Sequence, residues 1–152
     1  MAKERIRRCA KKYRENNDTG FRVFKLDSSN MKDIYYNPAE TQQSLLDIFA
    51  DNIKPNRTPE DLLFQVMLDL GVMLSSKIEE IEIGGKKVFN VADCFLIACF
   101  DKDVMDETVK AIAQKKPCYA VFRDSSMAND SVATNFDQIF ETYSSDTIRK
   151  VL

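Results

Sequence analysis

The sequence predicts an α/β fold: one domain with a mixed β-sheet, in which a β-meander leads into β-α-β and helices cover the sheet. Three observations carry that expectation. In "IEEIEIGGKKVFNV" two alternating runs flank Gly84-Gly85, a two-residue hairpin signal. The run "CFLIACF" is apolar throughout, as a central strand covered on both faces requires. A helical pattern then separates it from "CYAVF", so strand, helix and strand follow in the order of a right-handed crossover between parallel strands.

The elements follow in order. Ile6, Cys9, Ala10 and Tyr13 fall at i, i+3, i+4 and i+7, one apolar helical stripe among arginines and lysines. "ENNDTG" stops that helix. "FRVFKLD" alternates apolar and charged residues like a half-buried strand, and "SSNMKDIYYN" has loop composition. At Asn37-Pro38-Ala39-Glu40 an N-cap, a first-turn proline and a glutamate three residues later spell a helix start. Leu45, Leu46, Ile48 and Phe49 give that helix an apolar face, and it ends near Ile53. Thr58-Pro59-Glu60-Asp61 starts another, with Leu62, Leu63, Val66, Met67, Leu70 and Met73 at helical spacing. After "CFLIACF", Asp103 or a near neighbour caps a helix carrying Val104, Val109, Ile112 and Ala113, and Pro117 closes it. A last helix from about Ser131 to Tyr143 docks Val132, Phe136, Ile139 and Phe140 on the sheet, and "TIRKVL" adds an edge strand.

Composition narrows the function classes. A chain of 152 residues, 44% hydrophobic and 30% charged, suits one globular domain with a real core. No run approaches the ~18 apolar residues of a membrane span. The basic start lacks the apolar core of a signal peptide, so the expected location is cytoplasmic. Cys9, Cys94, Cys99 and Cys118 form no C-x-x-C pair and read as reduced core residues. The absence of histidine removes Ser-His and Cys-His nucleophile pairs and every histidine metal site. Four glycines cannot build a G-x-G-x-x-G or P-loop cradle. Residues 1–16 hold seven Lys/Arg against two Glu, or +5, leaving 15 against 22, or −7, for the remainder. Only the N-terminal segment is therefore suited to nucleic acid, with Arg5, Arg8, Lys11 and Lys12 as candidate backbone contacts; a solvated helix face accounts for the same charges.

Three further constellations have both a chemical and a structural reading. "LIACFDKDV" ends an apolar strand in D-x-D, as haloacid-dehalogenase-type phosphatases do. There Asp101 would attack phosphorus and Asp103 protonate the leaving group beside Mg²⁺. Carboxylates in that place also cap helices, and the motif falls two-thirds of the way along the chain. Glu79, Glu80 and Glu82 with Lys86 and Lys87 could form a nuclease-like cluster, but charges paired across a hairpin are the simpler account. In "AVFRDSSMANDSVATNFDQIF", Asp124 and Asn129–Ser131 suit the free N–H groups that open a helix; as chemistry, the segment contains no nucleophile-base pair.

The spelling of that stretch says more. "RDSSMANDSVATNFDQIF", with "GFRVFKLDSSN", "PEDLLFQVMLDLG" and "VFNVADCFLIACFDKD", closely resembles the C-terminal part of adenine-specific DNA methyltransferases. The similarity is to the modification (Mod) subunits of type III restriction–modification systems and covers essentially the whole chain in consistent order. "ERIRRCAKKYRENNDTGFRVFKLDSSN" looks like the junction leaving their methyltransferase core, which places that junction within residues 1–26. That family methylates the N6 of adenine from S-adenosylmethionine, using a Gly-rich loop and an (Asp/Asn)-Pro-Pro-(Tyr/Phe) tetrad that grips the flipped base. Neither is in this chain; Asn37-Pro38-Ala39-Glu40 lacks the second proline and the aromatic. In the family both lie upstream of the region matched here. The resemblance thus implies a C-terminal assembly domain with no catalytic, cofactor or metal residues of its own, S-adenosylmethionine being expected only for the full-length protein. Mod subunits act as dimers and join a restriction subunit, so the implied roles are self-association or docking of that subunit, with DNA reached through the whole protein and no membrane. Candidate contact residues are Arg123, Asp124 and Asn129 as a polar site and Tyr35 and Tyr36 as aromatic anchors, the type enriched at interface hot spots. Packing of Tyr35 and Tyr36 on the domain's own core is the alternative.

Overall fold

A computed structural model describes residues 2–13, 20–32, 52–127 and 130–152. The helix expected from Asn37, up to Asp51, lies outside those residues, as do Tyr35, Tyr36 and Asn129. The described chain forms helix α1 (Ala2–Lys12), helix α2 (Pro59–Asp69), the hairpin β1 (Ile78–Ile83) and β2 (Lys86–Val91), and strand β3 (Leu96–Cys99). Helix α3 (Asp106–Gln114), strand β4 (Tyr119–Phe122), a 3-10 turn at Asp124–Ser126, helix α4 (Asp130–Tyr143) and strand β5 (Ile148–Val151) complete it.

The five strands make one mixed sheet in the order β1-β2-β3-β4-β5. β1, β2 and β3 pair antiparallel, while β3–β4 and β4–β5 are parallel. This is the expected meander leading into β-α-β, with a second β-α-β closing the chain. Gly84 and Gly85 have φ of 59° and 73°, the left-handed pair that a type I′ hairpin turn demands. β3 is apolar at every position because both of its faces are buried. Leu96 and Ala98 join Leu63, Val66 and Met67 of α2 in one core, and Ile97 and Cys99 join Ile112 of α3 and Phe136 and Phe140 of α4 in the other. Phe122 ties the second core together, with rings of Phe136 and Phe140 edge-on at 5.1 and 6.4 Å. Each fully buried side chain of this size stabilises the fold by about 1.5–3 kcal/mol.

α2 starts where its spelling requires. The Thr58 hydroxyl accepts from the Asp61 N–H at 3.2 Å and the Asp61 carboxylate accepts from the Thr58 N–H at 2.9 Å, a reciprocal cap. Its end differs from the periodic pattern. The helix stops at Asp69, and Gly71 (φ 69°) lets the Val72 N–H reach the Met67 carbonyl at 2.7 Å. Met73 is therefore outside the helix and exposed.

Three other expectations are corrected. "FRVFKLD" is not a strand. Residues 21–29 are all exposed and none pairs with the sheet; the Arg22 guanidinium instead donates to the carbonyls of Leu74 and Ser76. Asp103 does not cap α3: it has φ 56°, Val104 is held in a parallel bridge to Met127, and the cap position falls to Met105, which offers no side-chain bond. Only Cys99 is a core cysteine. Cys9 and Cys118 are exposed and Cys94 is half-buried, all as free thiols.

Candidate interaction surface

α1 carries six cations and Glu4, and none of its residues is buried. At 100° per residue, Ile6, Cys9, Ala10 and Tyr13 share one side, Arg8, Lys11 and Lys12 lie on the opposite half, and Arg5 flanks the stripe. Arg8 is partly engaged, donating to the Glu4 carboxylate one turn away at 3.1 Å. The other cations named from the sequence, Arg5, Lys11 and Lys12, are exposed.

Next to α1 the chain from Phe21 to Asn30 runs across α2. Phe24 meets Phe64 edge-on with centroids 4.7 Å apart. Arg57 then fixes the following turn. Its guanidinium donates to the Asp27 carboxylate at 2.9 Å, to the Ser28 carbonyl at 3.1 Å and to the Ser28 hydroxyl at 2.9 Å. That guanidinium holds the Asp27 carboxyl below its ordinary range. Asn30, buried, donates its side-chain amide to the Asp61 carbonyl at 2.9 Å. The result is a trough of about 750 Å³ with Phe24, Leu26, Phe64, Leu68 and Leu74 as its apolar lining and Lys3 of α1 at its mouth. Phe21, Val23, Leu26 and Leu68 are exposed large apolar residues. Gathered apolar exposure of this kind marks contact surfaces.

This surface was hidden in the sequence by its alternation, which reads equally well as a strand. Two signals point to it. "FRVFKLD" has no turn-linked second run beside it, and Leu68 falls off the stripe made by Leu62, Leu63, Val66 and Met67.

The polar stretch after β4 sits elsewhere. Asp124 is exposed and Arg123 half-buried. The Asp124 N–H donates to the Leu152 carbonyl at 3.0 Å, and the Val104 N–H to the Ser126 carbonyl at 2.7 Å, so the turn ties β3, β4 and β5 together at their carboxyl ends. Asp124 borders a groove of about 480 Å³ with Met127, Phe136, Asp137, Arg149 and Val151. Arg149 there is held by Glu141 at 3.1 Å and Asp137 at 3.5 Å. Arg123 and Asp124 thus belong to the α4 side of the sheet, apart from the α2 side where the trough lies.

The D-x-D carboxylates are also placed. Asp101 accepts the Lys87 N–H at 2.6 Å and so extends the β2–β3 pairing, while Asp103 points from an exposed left-handed position. Among the described residues no three Asp, Glu or Cys side chains gather as a metal-holding group. Of the hairpin charges, Lys87 bridges Glu80 across the strands at 2.8 Å and also reaches Glu60 of α2 at 3.2 Å, whereas Glu79 pairs with Lys77 at 2.6 Å and the Lys86 ammonium donates to the Lys102 carbonyl. No described helix is long and apolar enough to cross a membrane. No family model and no curated protein matches the chain.

Proposed function

We propose that this chain is the non-catalytic C-terminal assembly domain of a site-specific DNA-adenine N6 methyltransferase of a type III restriction–modification system. It pairs Mod protomers or docks the restriction subunit, in the cytoplasm. The resemblance running the length of the sequence is what supports this choice of family. The observation that carries the role is the exposed apolar surface formed by Phe21, Val23, Phe24, Leu26 and Leu68 beside a helix with no buried residue. A partner covering such a surface removes apolar area from water, the main driving force of association.

Support for DNA comes from the layout of α1. With the Ile6 side turned to a protein partner, Lys11 faces away and Arg5 lies at the flank, placed to neutralise phosphates, while Arg8 beside them is shared with Glu4 and the Lys12 ammonium lies over the Tyr13 ring. This contact is sequence-independent and weakens with salt. S-adenosylmethionine and the target base belong to the full-length protein.

The test is direct. The chain is expected to show no methyl transfer to DNA and no tight S-adenosylmethionine binding by calorimetry. Light scattering across a dilution series is expected to give a persistent dimer near twice 17.4 kDa, or a complex once the restriction subunit is added. Clear methyl transfer by the chain itself would overturn the reading.

A further inference from the structure

We infer that α1 of one copy seats on α2 and the Phe24 trough of a second copy, reciprocally, so that two chains exchange their N-terminal helices. This deepens the assembly reading above and rests on it. α1 has 11 residues and buries none of them. A helix so short is marginal in water without a packed face. Its stripe is open, with Ile6 at 45% and Tyr13 at 56% exposure.

α2 offers the complement. It exposes Leu68 at 64% beside the trough, and it carries Glu60, Asp61 and Asp69 with no cation. α1 is thus +5 by six cations against Glu4, and α2 is −3. Seating one on the other sets an apolar stripe on an apolar trough, with Lys3, Arg5 and Arg7 flanking the stripe against the carboxylates of α2, the pattern that orients a docking helix. The Asp27 and Glu60 side chains, though each has an internal partner, remain 69% and 45% exposed and face an incoming cation. Lys3 of the same chain already lines the trough. The N-terminal end of α1 and the receiving surface therefore adjoin, so a two-fold pair places both exchanged helices in one self-complementary interface.

Cys9, exposed on the α1 stripe, supplies the test. Leu68→Cys is made together with Cys118→Ser, two exposed positions, and the chain is oxidised with diamide, which takes up the two electrons and two protons. The expected product is a covalent pair near twice 17.4 kDa whose peptide map joins position 9 of one chain to position 68 of the other. Adding Cys9→Ser is expected to abolish it. In the otherwise unchanged chain, Ile6→Asp is expected to weaken dimerisation by about tenfold or more, with the circular dichroism of the body retained. A link between 9 and 68 within one chain would overturn the exchange. So would no link at concentrations where light scattering shows a dimer, or a dimer indifferent to Ile6→Asp; in those two cases the assembly reading stands. A chain that is monomeric at every dilution also overturns the exchange, and if it fails to bind the restriction subunit as well, the assembly reading falls with it.

Discussion

Gly84 is the residue where backbone and packing constrain the chain together. Its φ of 59° disfavours any side chain, and a Cβ there would lie 2.4 Å from the Thr108 hydroxyl oxygen, on a residue at the start of α3. Gly84→Ala is expected to cost about 1–3 kcal/mol, read as a lower urea midpoint at unchanged slope. Adding Thr108→Ala should recover only the steric share, because the φ penalty stays. Asp101 makes the opposite kind of contribution, a single charged acceptor for the Lys87 N–H. Asp101→Asn keeps an acceptor oxygen and should change stability little, whereas Asp101→Ala strands the N–H at a cost of about 1–3 kcal/mol. The same pair of variants probes the phosphohydrolase alternative, for which Mg²⁺-dependent phosphatase activity would have to be present and vanish in Asp101→Asn.

Among the elements, α2 is central to both cohesion and contact: one side completes a core and the other carries Leu68 and three carboxylates. Thr58→Ala removes its reciprocal cap and is expected to lower stability by about 1 kcal/mol, measured by denaturant unfolding. The sheet was legible because its signals are local: a Gly-Gly turn, a doubly buried run, a helix between two apolar strands. What misled were patterns that record sidedness without naming a partner. "FRVFKLD" has two chemically distinct sides, but a strand also needs an edge to pair with, and Arg22 spends its reach on the carbonyls of Leu74 and Ser76 instead. Asp103 looks like a cap until the bridge between Val104 and Met127 pulls the chain past it. The candidate surface was legible only in part. The basic stripe of α1 is visible in the sequence, but the trough depends on Phe24 meeting Phe64 across forty residues of chain.

For the whole molecule, the absence of histidine predicts a flat stability profile near neutral pH. Asp27, Glu60 and Glu79 have carboxyl pKa values lowered from ordinary values of 3.8, 4.5 and 4.5. The causes are, first for each, the Arg57 guanidinium, the helix-start N–H at Glu60, and Lys77. Their contribution is present above those ordinary values and is lost as pH falls through the depressed ones. Lys77 and Lys87 are raised above 10.5 by Glu79 and Glu80, so theirs is complete below 10.5 and lost as pH rises through the higher folded values. Between about pH 5 and 8 no side chain of ordinary pKa titrates. Calorimetric Tm should hold level across that window, and a step of several degrees would show a group this account lacks.

The strand order has a consequence for how the molecule is made. Each strand lies beside the one synthesised just before it, so pairing never waits for a distant segment and the sheet extends in one direction from β1 to β5. Contacts this sequential carry little loop-closure cost and favour rapid folding. During synthesis each new strand meets an edge already in place, and the edge of β4 stays open until β5 emerges. A chain that loses β5 would keep most of its core and present β4, apolar and buried in the intact protein, as an adhesive border to its neighbours.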